Sequence, residues 1–297
     1  MELMDTELLK TFLEVSRTRH FGRAAENLFL TQSAISARIR QLEESLGVAL
    51  FTRTRNDIQL TPAGVRMSRY AESILSTWNR ARQDAALKAE DRESLAIGGM
   101  FSLWDIVLQD WLGRVHIEHP ELTLLAEAGS QDVLVRKLLD GAIDLAFMWE
   151  PPQMTELELE EIGQIRLVLV STRASLSVEE SLREGYIRVD WGTSFAMAHG
   201  RHFPDIQPPA MRVSHGRMAL ALLLQGQGAT AYIAEPMVQE YIARGELHRV
   251  VGAPVLDRAF HAVTPHAIVQ RRAKIAELIS LVREMTDRQT AVSRARG

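Results

Sequence analysis

The sequence predicts a multidomain α+β chain with a winged helix-turn-helix order at its start, one long linker helix, and an α/β remainder. Three observations predict it. Apolar residues in the first 60 positions fall at helical spacing and then give way to a short hairpin pattern. From Thr61 to about Glu90 an apolar stripe runs on with no proline after Pro62. From Ser94 onward, short β-type runs alternate with helical ones.

The first helix is opened by Asp5 or Thr6 and carries the stripe Leu8, Leu9, Phe12, Leu13 and Val15. A short second helix holds Gly22 to Leu28, where Ala24 and Ala25 permit close helix packing. Thr31 is a good N-cap for a third helix that ends at Gly47. In it Ile35, Ile39, Leu42 and Leu46 share one face, while Gln32, Ser33, Ser36, Ala37 and Arg40 fall on another. Val48 to Thr52 and Ile58 to Leu60 read as strands around a turn at Arg53 to Asp57.

Thr61 followed by Pro62 is a strong helix start. Met67, Ile74 and Ala81 repeat every seven residues, as do Ala71, Trp78 and Ala85. That two-phase seam favours a dimerising helix over one packed on its own domain. Beyond it, Leu95 to Gly98, Leu122 to Ala126 and Leu145 to Met148 read as strands of a first α/β unit. Ser102 with Asp105 reads as a capping box, and Ser130 caps the helix that stops at Gly141. A second unit begins near Arg166, with a strand at Gly185 to Val189, a helix from Met218 to Leu224 and a strand from Thr230 to Ile233. Ile268 to Met285 is a final amphipathic helix, followed by a polar tail expected to fray.

Composition narrows the class. Of 297 residues 46% are hydrophobic and 24% charged, which excludes disordered and fibrous proteins. The net charge is -4, yet seven arginines between Arg17 and Arg55 face only Glu26, Glu43 and Glu44. An arginine-rich patch in an acidic chain suggests a polyanionic partner. With no cysteine, disulfides, thiol nucleophiles and iron–sulfur clusters are excluded. No secretory signal or membrane-length apolar run is visible, so a soluble cytoplasmic protein is expected, with no membrane partner.

Phe21-Gly22-Arg23-Ala24-Ala25, Thr31-Gln32-Ser33-Ala34-Ile35-Ser36, Leu46-Gly47-Val48, Leu50-Phe51-Thr52-Arg53 and Leu60-Thr61-Pro62-Ala63-Gly64 together resemble the LysR-type transcriptional regulators. The match is dense over about the first 90 residues. Farther on, Asp140-Gly141-Ala142-Ile143-Asp144 and Leu224-Gln225-Gly226-Gln227-Gly228 are similar to looser motifs of that family. The resemblance implies a DNA-binding domain at 1–61, a linker helix at 62–91 and an effector domain at 92–297. The last is implied to be two-lobed, of the type 2 periplasmic-binding-protein fold, with lobes at about 92–163 plus 265–297 and 164–264. Crossovers are expected near Gly163 and near Thr264-Pro265.

Partners follow from the same source: double-stranded DNA at a pseudo-palindromic site, a second copy or four copies of the chain, RNA polymerase, and a small-molecule effector, for which serine hydroxyls and free N–H groups favour an anion. No cofactor and no metal is implied. For DNA, Gln32 suits adenine edges, Ser33 and Ser36 suit base edges or phosphates, and Arg40 and Thr31 suit phosphate. Arg53 and Arg55 on the hairpin suit a narrow minor groove. Ala37 replaces the long basic residue often found there in the family, which shifts specificity toward Gln32, DNA shape and the wing. Arg38 is expected in an ion pair within the domain, with Glu26 as its partner. Arg17, Arg19 and Arg23 are either solvated surface or phosphate contacts.

For the effector, helix starts and strand ends single out Ser102, Ser130, Gln131, Trp149, Ser194, His215 and Arg217. Trp149 has a second reading, as a plug that fills the cleft. The seam residues assigned to dimerisation are Met67, Ala71, Ile74, Trp78 and Ala81. His116-x-x-His119 and His199-x-x-His202 read as surface pairs, and no nucleophile elbow or phosphate loop supports an enzyme. The alternatives are an architectural DNA binder without an effector and, less well supported, a solute-binding protein.

Overall fold

The computed structural model describes residues 5–54, 57–86, 93–183, 185–209, 211–226, 230–266 and 272–296. Helix α1 (Thr6–Thr18) starts where the Asp5 carboxylate accepts the Glu7 N–H, and it ends at Arg19 in the left-handed region. Helix α2 (Phe21–Asn27) starts on His20, whose Nδ1 accepts the Arg23 N–H. Helix α3 (Gln32–Leu46) is capped by the Thr31 hydroxyl and closed by Gly47 at φ +69°. Ile35, Ile39 and Leu42 are buried against Leu9, Phe12, Val15 and Ala24. Leu46, expected as the fourth buried residue, is exposed at the helix end.

Strands β1 (Phe51–Thr54) and β2 (Asp57–Leu60) pair antiparallel from Phe51↔Leu60 to Thr54↔Asp57. The first strand begins at Phe51 rather than Val48. The Glu43 carboxylate takes the N–H groups of Leu50 and Phe51, and the Glu43 carbonyl takes that of Val48. Helix α4 (Pro62–Ala86) starts on the Thr61 hydroxyl, which accepts the Gly64 N–H and donates to the Ala49 carbonyl. Gly64 must be glycine, because a Cβ there would collide with the Leu50 carbonyl.

The chain forms two units, the first holding the elements just described. In the second, β3 (Ser94–Met100) leads into α5 (Phe101–Leu103), a π-helical stretch at Trp104–Leu108, and α6 (Gln109–Glu118). There follow β4 (Thr123–Gly129), α7 (Gln131–Leu139), β5 (Leu145–Met148) and the long β6 (Leu157–Ser171). Next come α8 (Val178–Arg183), β7 (Tyr186–Val189), α9 (Thr193–His202), β8 (Met211–Val213) and α10 (Gly216–Leu224). Then β9 (Thr230–Ala234), α11 (Glu235–Ala243), β10 (His248–Arg249), β11 (Leu256–Pro265) and α12 (Arg272–Arg296) complete it.

The strands lie in the order β4-β3-β5-β11-β6-β9-β7-β8, with β10 on β6. Two parallel halves, β4-β3-β5 and β9-β7-β8, are thus joined by the antiparallel pair β6 and β11. These two strands are the crossovers, and their register shifts at Phe260/His261, opposite Gly163. The last helix returns to the first half, where Trp111 Nε1 donates to the Leu278 carbonyl at 3.1 Å.

Two further expectations differ from the structure. The tail beyond Met285 is helical to Arg296 rather than frayed, in a stretch with no glycine or proline and with Thr286 buried. Ser102 and Asp105 make no capping box, because each side chain is taken by a distant residue described below.

Candidate functional site

On α3 the buried stripe turns the opposite face outward. Gln32, Ser33, Ala37 and Arg40 are exposed and Ser36 is half-buried. Ser33 shares a 3.0 Å hydrogen bond with Thr31, whereas Gln32, Ser36 and Arg40 have no side-chain partner among the described residues. Arg38, between the faces, donates to Thr11 at 3.3 Å and lies 3.5 Å from Glu7. It is an ion pair within the unit, but with Glu7 and not Glu26, because α1 and not α2 passes that flank. Arg17 is held by Glu14 at 2.6 Å, while Arg19 and Arg23 are exposed. Arg53 sits in β1 opposite Ile58, and Arg55 lies outside the described residues.

The seam on α4 divides. Ala71 is fully buried in the core of the first unit, and Met67 and Ile74 pack against that core. Ala71 is therefore closed to a partner helix; a seven-residue repeat fits packing on one's own domain as well as a coiled coil. Trp78, 49% exposed, and Ala81 remain outside that core.

In the second unit the residues expected to meet an effector have found partners within the chain. Trp149 is 2% exposed, and its Nε1 donates to Ser102 Oγ at 2.8 Å. Its ring lies edge-on to Trp191 and Phe260, and the Arg258 guanidinium stands 4.2 Å from its centroid. The N–H of Ser194, at the start of α9, donates to Glu150 Oε1 at 3.1 Å. Arg217 pairs with Asp105 at 2.9 Å, joining the two halves, and His215 meets the Phe101 ring edge-on. Ser130 and Gln131 have no side-chain partner among the described residues.

Sequence reasoning missed Glu150, Asp190 and Arg258. Burial pulls the Arg258 guanidinium down to about 10, with Glu150 and Asp190 opposing. Burial favours the neutral form of Glu150, but hydrogen bonds from Ser194 and the nearby Arg258 outweigh it and lower its pKa. No local motif marks either residue; the only signal was a charge directly after the apolar run that ends at Trp149.

His199 is not a surface residue. It is fully buried, with Nε2 2.9 Å from the Tyr186 hydroxyl and Nδ1 3.1 Å from Arg188. An arginine only donates, so Nδ1 accepts and the ring proton stays on Nε2. Burial first, then Arg188 and His202, pushes its pKa down to about 4. Among the described residues no cluster of histidine and acidic side chains could hold a metal, and no helix is long and apolar enough to cross a membrane.

Comparison with known proteins decides the family. Residues 6–65 match the bacterial regulatory helix-turn-helix protein, lysR family, and residues 88–287 match the LysR substrate binding domain. The chain is a LysR-type transcriptional regulator. It is 39% identical over 280 residues to the HTH-type transcriptional regulator HdfR of Escherichia fergusonii, covering 92% of this chain and 98% of that one. It is 42% identical over 248 residues to HdfR of Yersinia enterocolitica, covering 80% and 84%. Among solved structures, full-length CbnR complexed with target DNA shares the fold at a TM-score of 0.72 and 23% identity, covering 95% of this chain and 99% of that one. ArgP from Mycobacterium tuberculosis shares it at 0.59 and 20% identity, covering 95% and 98%. The regulator thus pairs a DNA-binding head with an effector-binding unit.

Proposed function

We propose that this regulator reads a pseudo-palindromic promoter site as a homodimer or homotetramer, with the start of α3 in the major groove. The observation that carries the reading is the outward polar face of α3, where Gln32, Ser36 and Arg40 have no side-chain partner among the described residues while the opposite face is buried. Gln32 reads adenine, Ser33 and Ser36 meet base edges or phosphates, and Thr31 and Arg40 hold phosphate. Arg53 and Arg55 serve the minor groove next to it. Trp78 and Ala81 supply the linker contact to a second copy, which the buried Ala71 cannot. The boundaries 1–61, 62–91 and 92–297 mark head, linker and effector unit, and the active assembly works with RNA polymerase in the cytoplasm.

The test is to capture fragmented genomic DNA with the purified protein at physiological salt and to sequence what is retained. A shared interrupted palindrome is expected. Gln32→Ala should then relax base preference at one position per half-site, a discrimination of about 1–3 kcal/mol. Arg40→Ala should weaken all sites alike and reduce the salt slope by about one. Retention of DNA without any motif would overturn the reading. A second reading, an architectural DNA binder without an effector, is favoured by the internal pairing of Trp149, Ser194 and Arg217.

A further inference from the structure

The floor of the effector unit holds a guanidinium whose partner does not fill it. Arg258, on β11, is 6% exposed, and its Nε has no hydrogen-bond partner among the described residues. Its Nη2 is 3.7 Å from Glu150 Oε1, well beyond the roughly 2.8 Å of a charge-assisted hydrogen bond. Nε and Nη2 form one edge of the guanidinium, the fork that a free carboxylate takes with both oxygens. Here one oxygen engages it loosely, and that same oxygen accepts the Ser194 N–H at the start of the ten-residue helix α9.

The surroundings fit a carboxylate. Gly192, the N-cap of α9, offers no side chain to its helix. At φ +90° it lies against Arg258, and a Cβ there would strike Nη2. The free N–H groups of a helix start favour an anion. Glu150 comes from the irregular stretch between β5 and β6, and its side chain is 42% exposed, so solvent reaches it and rotation of one side chain removes it.

We propose that Glu150 is a resident ligand of this regulator, seated in a carboxylate site built from Arg258 and the start of α9, and that the external effector is a small molecule whose carboxylate displaces it. The proposal rests on the reading that a ligand of the effector unit modulates the regulator, and it names that ligand's class. It also explains the internally paired cleft: the chain supplies its own anion until a better one arrives. A tethered carboxylate competes at an effective concentration of about millimolar or more, so weak external acids are held off.

Glu150→Ala removes the atoms of one acetate from this site. The test titrates full-length wild type, E150A and the double variant E150A/R258M with sodium acetate, using sodium chloride at equal ionic strength as the control. Melting temperature and intrinsic tryptophan fluorescence are the readouts, since Trp149 stacks on Arg258. E150A should melt below wild type, regain much of the loss on adding acetate, and bind it at least about tenfold more tightly than wild type. The double variant should lose that gain. If E150A does not fold, E150Q keeps the shape and the Ser194 acceptor but not the charge, and should likewise bind acetate more tightly than wild type. Equal acetate effects in all variants, or none in E150A or E150Q, would overturn the proposal. Gel shifts on captured DNA, run separately, report on the DNA reading; their failure would leave the acetate result standing, and the reverse holds too.

Discussion

The two units handle polar side chains in opposite ways. On α3, Gln32, Ser36 and Arg40 have no side-chain partner among the described residues. Between the halves of the effector unit, Ser102, Trp149, the Ser194 N–H and Arg217 are each bonded to another part of the chain. Unpaired exposed groups cost nothing while water solvates them, and they stand ready for a base edge or a phosphate. Paired groups must be released before a ligand can use them. The head is therefore an open surface for a partner that arrives, whereas the effector unit already has an occupant to be displaced.

The largest test of this contrast is Trp149→Ala. Truncating a tryptophan that is 2% exposed should lower the effector unit's stability by about 3–5 kcal/mol in urea unfolding. Gln32→Ala on the open face should change the head's stability by no more than about 0.5 kcal/mol. Similar costs at the two sites would break the comparison.

Acid should also separate the units. His199 is neutral and buried, with its pKa down at about 4, so it adds no penalty above the unfolded value near 6.5. As the pH falls from about 6.5 to about 4 the unfolded chain takes up a proton that the folded one refuses, and stability drops by about 3 kcal/mol. Urea midpoints of the effector unit measured across that range should show the drop, and His199→Asn should flatten it. A midpoint independent of pH in the wild type would contradict the buried neutral imidazole.

The smallest effect concerns Arg38, the one arginine of α3 with a partner among the described residues. Arg38→Ala should cost at most about 1 kcal/mol of head stability, since its Glu7 partner is half exposed. Base preference in the capture experiment should not change. A shift in preference would move Arg38 to the DNA-facing side and blur the division between the two faces of the helix.

Much of the head was legible because its signals are local. Thr31 and Gly47 bound α3, Thr61 and Pro62 start α4, and the stripe Ile35, Ile39, Leu42 is buried as its spacing requires. The linker seam was only half legible, since a repeat of seven does not say whose core it enters. The effector cleft was least legible. Ser102 and Asp105 have capping-box spacing, but Trp149 and Arg217, 47 and 112 residues away, hold them. Arg258 meets Glu150 only because β11 returns antiparallel beside β5, with His261 opposite Met148, a pairing between distant segments that no local pattern announces.

The sheet order also governs how the protein comes off the ribosome. The head's core closes with residues up to Leu75, all local in the chain. The first half of the effector unit instead waits for α12, whose Leu278 carbonyl receives Trp111 across 167 positions of sequence. A nascent chain thus carries a finished head for most of its synthesis while its sensing half is still incomplete. Premature termination between the linker and α12 would release heads whose sensing unit is incomplete.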